Sequence, residues 1–123
     1  MNAAGGYVRL HRRLLDSAVW MNPRTLKVFL WALLRANYTE RQVTFGGMDI
    51  TLRAGQFISG RFAGATECGM RPSTFLYQIT TLKTLGVLCL KSDNKKTLII
   101  VVNYKDYQSD QQQANNKPTT SQQ

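Results

Sequence analysis

The side chains able to do covalent or acid–base chemistry are few in this chain and stand apart. His11 is the single histidine among 123 residues. It neighbours Arg12 and Arg13 rather than a cysteine or paired carboxylates at metal-ligand spacing, so a structural or surface role is expected for it. Seven carboxylates are scattered singly, which leaves no pair to divide general-acid and general-base work. Cys68 and Cys89 are the two cysteines. No basic segment followed by an apolar stretch opens the chain, so both are expected as reduced thiols of the core rather than nucleophiles. Gly46-Gly47 and the stretch from Gly60 to Gly64 match no phosphate-loop spacing. An enzyme is therefore not expected, and no cofactor or metal is implied.

Binding chemistry is better represented. Lys and Arg number 16 against seven Asp and Glu, a net charge of +9. Such an excess favours polyanions, nucleic acid first and anionic membrane second. The longest apolar run, Val28 to Leu34, is too short to cross a bilayer. A cytoplasmic protein without a membrane partner is the expectation.

The polar residues of one segment are spaced to meet a nucleic acid. Ser73 and Thr74 open a helical stretch over 72–85, where free N–H groups and the helix dipole favour a phosphate. Tyr77 and Gln78 lie one turn later, within reach of base edges, and Gln suits adenine. Thr81 can take a base or a phosphate, and Lys83 the backbone. Arg71 precedes this helix, and Arg61 stands near the start of the one before it. Lys91, Lys95 and Lys96 form the densest basic cluster in the chain. Taken singly, each of these side chains is explained by solvating an exposed face. Taken together they make a candidate face for double-stranded DNA. Lys83 is the only basic residue of the reading segment itself. Much of the remaining charge lies in Arg9, Arg12, Arg13, Arg24, Lys27 and Arg35.

The elements that must position this face can be read from periodicity. His11 to Trp20 has helical spacing, with Leu14, Leu15, Ala18 and Val19 on one side. Asn22-Pro23 is a strong helix start, and the helix should run to about Ala36 with a broad apolar face. Residues 46–58 read as a small β element, with Arg53-Ala54-Gly55 as its turn. Two short helices follow at about 61–68 and 72–85, linked by Gly69-Met70-Arg71. Phe75, Ile79, Leu82 and Leu85 share one face of the second, and Gly86 is a natural stop. Residues 87–91 and 97–102 flank a polar Asp-Asn centre as a hairpin. From Ser109 onward the chain is Gln, Asn, Ser and Thr without a core-forming residue.

Helix, β element, short helix, tight turn, amphipathic helix and hairpin, in that order, make a winged helix-turn-helix. The expected organisation is a flexible N-terminus at 1–6, a small α+β winged domain at 7–108 with a β-hairpin wing, and a disordered Gln/Asn-rich tail or linker at 109–123. In this arrangement the short helix props the second across the turn, and the second enters a major groove.

Four stretches carry a family resemblance. They are residues 7–20 (YVRLHRRLLDSAVW), residues 55–61 (GQFISGR), Ser73-Thr74 with the Leu82…Leu85-Gly86 ending, and residues 91–95 with 100–108. Together they resemble the N-terminal winged helix-turn-helix domain of phage and prophage replication-initiation proteins, the replisome organisers similar in style to DnaD-like primosome proteins. The resemblance implies DNA binding at a replication origin, and assembly with a replicative helicase or helicase-loader proteins. In such proteins a polar linker leads to a second helical domain, and 109–123 has that composition. Gly64 departs from the pattern, because relatives commonly carry a bulky apolar residue there. Since Gly in a helix costs about 1 kcal/mol relative to Ala, a short or loosely packed supporting helix is expected.

Two other functions fit the same elements: a small phage or plasmid transcriptional regulator, and an oligomerisation or adaptor module that uses the face for protein contacts. A homodimer on paired half-sites is a further expectation. No heptad pattern enforces it.

Overall fold

Asn22 starts the first helix as its place before Pro23 requires. In the computed structural model, which describes residues 6–60, 62–93 and 96–108, its side-chain oxygen accepts from the N–H groups of Arg24 (3.0 Å) and Thr25 (3.3 Å). Helix α1 spans Pro23–Arg35. Of the stretches expected to be flexible or disordered, 1–6 and 109–123, all but Gly6 lie outside the described residues, as do Arg61, Asn94 and Lys95.

The segment before α1 is not the expected helix. Only Arg12–Asp16 coils, as a 3-10 turn. Ser17 ends it: its hydroxyl donates to the Leu14 carbonyl (2.8 Å) and accepts from the Trp20 N–H (3.3 Å). A side chain that offers the backbone these local partners competes with continued helix. Leu15 is left exposed while Val19 turns into the core.

After α1 come two strands, β1 (Arg41–Phe45) and β2 (Met48–Leu52), paired as an antiparallel hairpin. Gly46 and Gly47 form its two-residue turn, both with positive φ (62° and 79°). Such a turn matches the twist of the strands it joins, and glycine adopts it without strain. The β element thus begins earlier than the expected 46. Strand β3 (Gln56–Gly60) follows, then helices α2 (Ala63–Cys68) and α3 (Pro72–Thr84), then strands β4 (Leu88–Ser92) and β5 (Lys96–Val101). A five-residue helix α4 (Tyr104–Gln108), absent from the expectation, closes the described chain.

The second sheet has the order β3–β5–β4, all antiparallel. With α1 before β3 and the α2–α3 pair before β4, this is the winged helix-turn-helix, with the β1–β2 hairpin inserted ahead of β3. The domain is α+β, as expected. The insert is closed at its base: Asn37 N–H donates to the Gln56 carbonyl (3.1 Å), and Gly55 N–H to the Asn37 carbonyl (2.8 Å).

The main core lies between the three helices and one face of this sheet. Val28, Ala32 and Leu33 of α1 meet Phe75, Ile79 and Leu82 of α3, with Phe57, Leu88, Ile99 and Val101 beneath. Leu52 and Leu98 are also buried, at 3 % and 7 % exposure, but stand outside that cluster. The register puts Leu98 with Ile58 and Lys91 on the opposite sheet face, and Leu52 with Ile50 and Val43 on one face of the hairpin. The hairpin tip meets the wing turn, where Gly46 N–H donates to Asp93 Oδ2 at 3.1 Å.

Gly64 is buried in α2, and the structure gives the reason for this residue. A Cβ there would stand 2.5 Å from Cζ of Phe75 and 3.0 Å from the Trp31 ring. Trp31 packs edge-on against both Phe57 and Phe75, with centroids 5.2 and 5.3 Å away. Three aromatic rings fill the volume that a bulky residue would supply. The supporting helix is short, six residues, but it is closely packed.

Candidate nucleic-acid interface

The turn that aims α3 is built from backbone hydrogen bonds. Gly69 takes the left-handed conformation (φ 69°, ψ 35°). Its N–H donates to the Thr66 carbonyl (3.1 Å) and the Met70 N–H to the Ala65 carbonyl (2.9 Å), closing the end of α2. Arg71 is extended (ψ 149°) and Pro72 opens α3, a position where a missing N–H costs nothing. Glu67 fixes α2 to α1: its carboxylate accepts from Trp31 Nε1 (2.7 Å) and Arg35 Nε (2.9 Å), and it forms an ion pair with Arg35. Arg35 is therefore engaged in the scaffold.

On α3 after Pro72 the exposed residues are Ser73, Leu76, Tyr77, Thr80, Lys83 and Thr84. Their spacing of three and four makes one continuous stripe opposite Phe75, Ile79 and Leu82. Leu76 and Tyr77 are 63 % and 68 % exposed and form its middle. Ser73, Tyr77 and Lys83 lie where the sequence places them, and Arg71 is exposed at the N-terminus of the helix. Thr74 and Thr81 are half-buried at the margins. The Thr81 hydroxyl donates to the Tyr77 carbonyl at 3.0 Å.

Gln78 corrects the expectation. It is 4 % exposed, turned between α3 and α1. Its Oε1 accepts from the hydroxyl of Thr25, itself 2 % exposed, at 2.6 Å. Gln78 follows Phe75 by three and precedes Leu82 by four, so it belongs to the buried stripe. It bonds α3 to α1 and does not belong to the exposed face. Leu76 and Thr80 were missed as members of the face; counting three and seven from Ser73 finds both.

The wing is tied at its turn by Asp93, whose Oδ1 accepts from the Lys96 N–H (2.6 Å) and whose N–H donates to the Lys96 carbonyl (2.9 Å). Lys96 is exposed and borders an open groove of about 410 Å³ between the wing and the first half of α3. Phe62, Pro72, Leu76, Ile79 and Leu90 give this groove an apolar lining. Lys91 is exposed on the outer face of the sheet, opposite Leu98. Arg61 and Lys95 lie outside the described residues.

One cation that the sequence assigned to no face comes to the turn. Lys27 Nζ lies 3.8 Å from the point a Cβ on Gly69 would occupy. Arg24 is exposed one turn earlier on α1. Only tertiary packing brings Lys27 beside Gly69, so nothing in the local sequence signals it.

The remaining candidates for chemistry stay apart. His11 Nδ1 accepts from the Arg13 N–H (3.1 Å) at the start of the 3-10 turn, a structural role. Cys68 is buried and Cys89 exposed. Burial pushes the Cys68 thiol up, against a smaller downward pull from Lys27. Burial likewise raises the Tyr104 phenol, with Tyr38 adding to it. Among the described residues no three His, Cys, Asp or Glu side chains gather as a metal set, and no helix is long and apolar enough to cross a membrane.

Fold and surface together define a winged helix-turn-helix domain with an inserted hairpin and an exposed polar-apolar stripe on α3. No protein-family model, curated protein or solved structure matches the chain.

Proposed function

We propose that this domain binds double-stranded DNA, with α3 in the major groove and the wing beside it, and carries no catalytic chemistry. The observation that supports this most is the exposed stripe Ser73–Leu76–Tyr77–Thr80–Lys83, with Arg71 and Lys27 at one end and Lys96 across the groove. A net charge of +9 suits the partner. The sequence resemblance supports replication initiation in a phage or other mobile element as the setting, with helicase or helicase-loader proteins as further partners. A transcriptional regulator would use the same surface, because function rides on the site bound and not on the fold.

Titration of labelled duplex DNA at several salt concentrations tests the proposal. If about five phosphates are contacted, affinity drops roughly two to three orders of magnitude over a fourfold rise in salt. Lys96→Ala should weaken binding to all sequences alike and lower the slope. Absence of binding at low salt overturns the reading. The apolar groove, with Phe62 58 % exposed beside it, then favours the second one, an adaptor surface for protein contacts.

A further inference from the structure

The base edges of the major groove ask for different side chains. Guanine is read by Arg or Lys, adenine by Asn or Gln, cytosine by Asp or Glu, and the thymine methyl by apolar atoms. Applied to α3, this code leaves little choice. The central exposed residues are Leu76, Tyr77 and Thr80, with Ser73 before them. The one side-chain amide of the helix, Gln78, is buried and bonded to Thr25. No carboxylate lies on the helix. Its cations stand at the two ends, Arg71 and Lys83, where phosphates are nearest.

We infer that the domain, if it binds DNA as proposed above, selects thymine through its 5-methyl group, with Leu76 and Tyr77 as the specificity-determining residues. Leu76 offers two methyl groups from the middle of the stripe and is continuous with the apolar groove shared by Phe62 and Pro72. A thymine methyl seated there leaves water for an apolar surface, at about fourfold in affinity per methyl. The hydroxyls of Ser73 and Thr80 tolerate any neighbour and add no competing demand. Preferred sites are therefore A·T-rich where Leu76 and Tyr77 point, and the preference comes from methyl groups rather than from hydrogen-bond pairs.

Uracil isolates the methyl, because deoxyuridine pairs and hydrogen-bonds as thymidine does. A short A·T-rich duplex and the same duplex with every thymidine replaced by deoxyuridine are titrated with the full chain under identical salt. The expected result is weaker binding of the uracil duplex, about fourfold for each contacted methyl. Leu76→Ala should shrink that ratio, with the circular dichroism of the fold unchanged since the side chain is exposed. Lys96→Ala should weaken both duplexes equally and keep the ratio. Equal affinity for the two duplexes by the parent protein overturns thymine selection and leaves the DNA-binding reading standing. Binding of neither duplex at low salt overturns both.

Discussion

Removing the two ends of the Thr25–Gln78 hydrogen bond, singly and together, tests whether this pair orients α3. The hydroxyl and the amide oxygen stand 2.6 Å apart, with 2 % and 4 % of the two residues exposed. Thr25→Val keeps the shape but removes the donor, leaving the amide oxygen buried without its partner. That costs about 1–3 kcal/mol. Gln78→Met orphans the hydroxyl instead. Its cost should lie toward the lower end, since a helical Thr hydroxyl can turn to the carbonyl one turn back. The double variant replaces both by apolar groups of similar shape and should return to within about 1 kcal/mol of the parent. For a domain of this length, each kcal/mol moves Tm by about 4–8 °C, so Thr25→Val should lower it by roughly 5–20 °C. Thermal unfolding followed by circular dichroism gives the cycle, and a DNA titration on each folded variant gives the second readout. Base preference should not change, because neither side chain reaches the surface. Strictly additive losses would refute a direct bond. A Gln78→Met protein with altered preference and unaltered Tm would return Gln78 to the reading face.

Gly64→Ala gains about 1 kcal/mol of helix propensity but drives a methyl into Phe75 and Trp31, at about 1–3 kcal/mol; a net loss is expected in denaturant unfolding, and Phe75→Leu in the same chain should relieve part of it. A stabilised Gly64→Ala protein would show that the rings yield. Asp93→Ala should raise hydrogen exchange at the Gly46 and Lys96 amides, which both donate to that carboxylate; unchanged protection would mean the hairpin does not brace the wing. A thiol reagent should modify Cys89 in the folded protein and spare Cys68 until unfolding, and early modification of Cys68 would contradict its burial. The folded chain holds the Cys68 and Tyr104 protons to higher pH than the unfolded chain does. Their contribution to stability is thus complete below the ordinary thiol range and falls as pH rises through it. Tyr104→Phe should flatten the upper part of that loss, and an identical alkaline profile would remove Tyr104 as a cause.

Local chemistry made much of the fold legible. Asn22-Pro23, Gly69 and Gly86 act within one turn of themselves, and each delimits a helix in the structure as its residue type predicts. The wing hairpin follows from two aliphatic runs around a polar centre. What was not legible depends on partners far along the chain. Strand β1 is half polar and shows as a strand only beside β2. Helix α4 is held by Tyr104, which covers Gly55 so closely that a Cβ there would come within 2.6 Å of it. The site divided the same way. Ser73 and Tyr77 are exposed because the helical period makes them so, and the same period buries Gln78, whose polarity argued otherwise. A buried partner, Thr25, was needed to take an amide inside, and it stands 53 residues away. Lys27 reaches the turn only because α1 packs there.

The two limits of the described domain also meet. Gln108 on α4 accepts from the Arg9 N–H through Oε1 and donates to the Arg9 carbonyl through Nε2, both at 2.8 Å. One side chain thus satisfies a backbone donor and acceptor as a neighbouring strand would. A unit whose first and last segments are clasped side by side can be joined to other chains in ways a linear fusion does not allow. It can be spliced whole into a surface loop of a carrier, or its old termini can be linked and new ones opened at an exposed turn such as Gly46-Gly47. Either rearrangement keeps the α2–α3 turn, the exposed stripe of α3 and the wing in one uninterrupted segment.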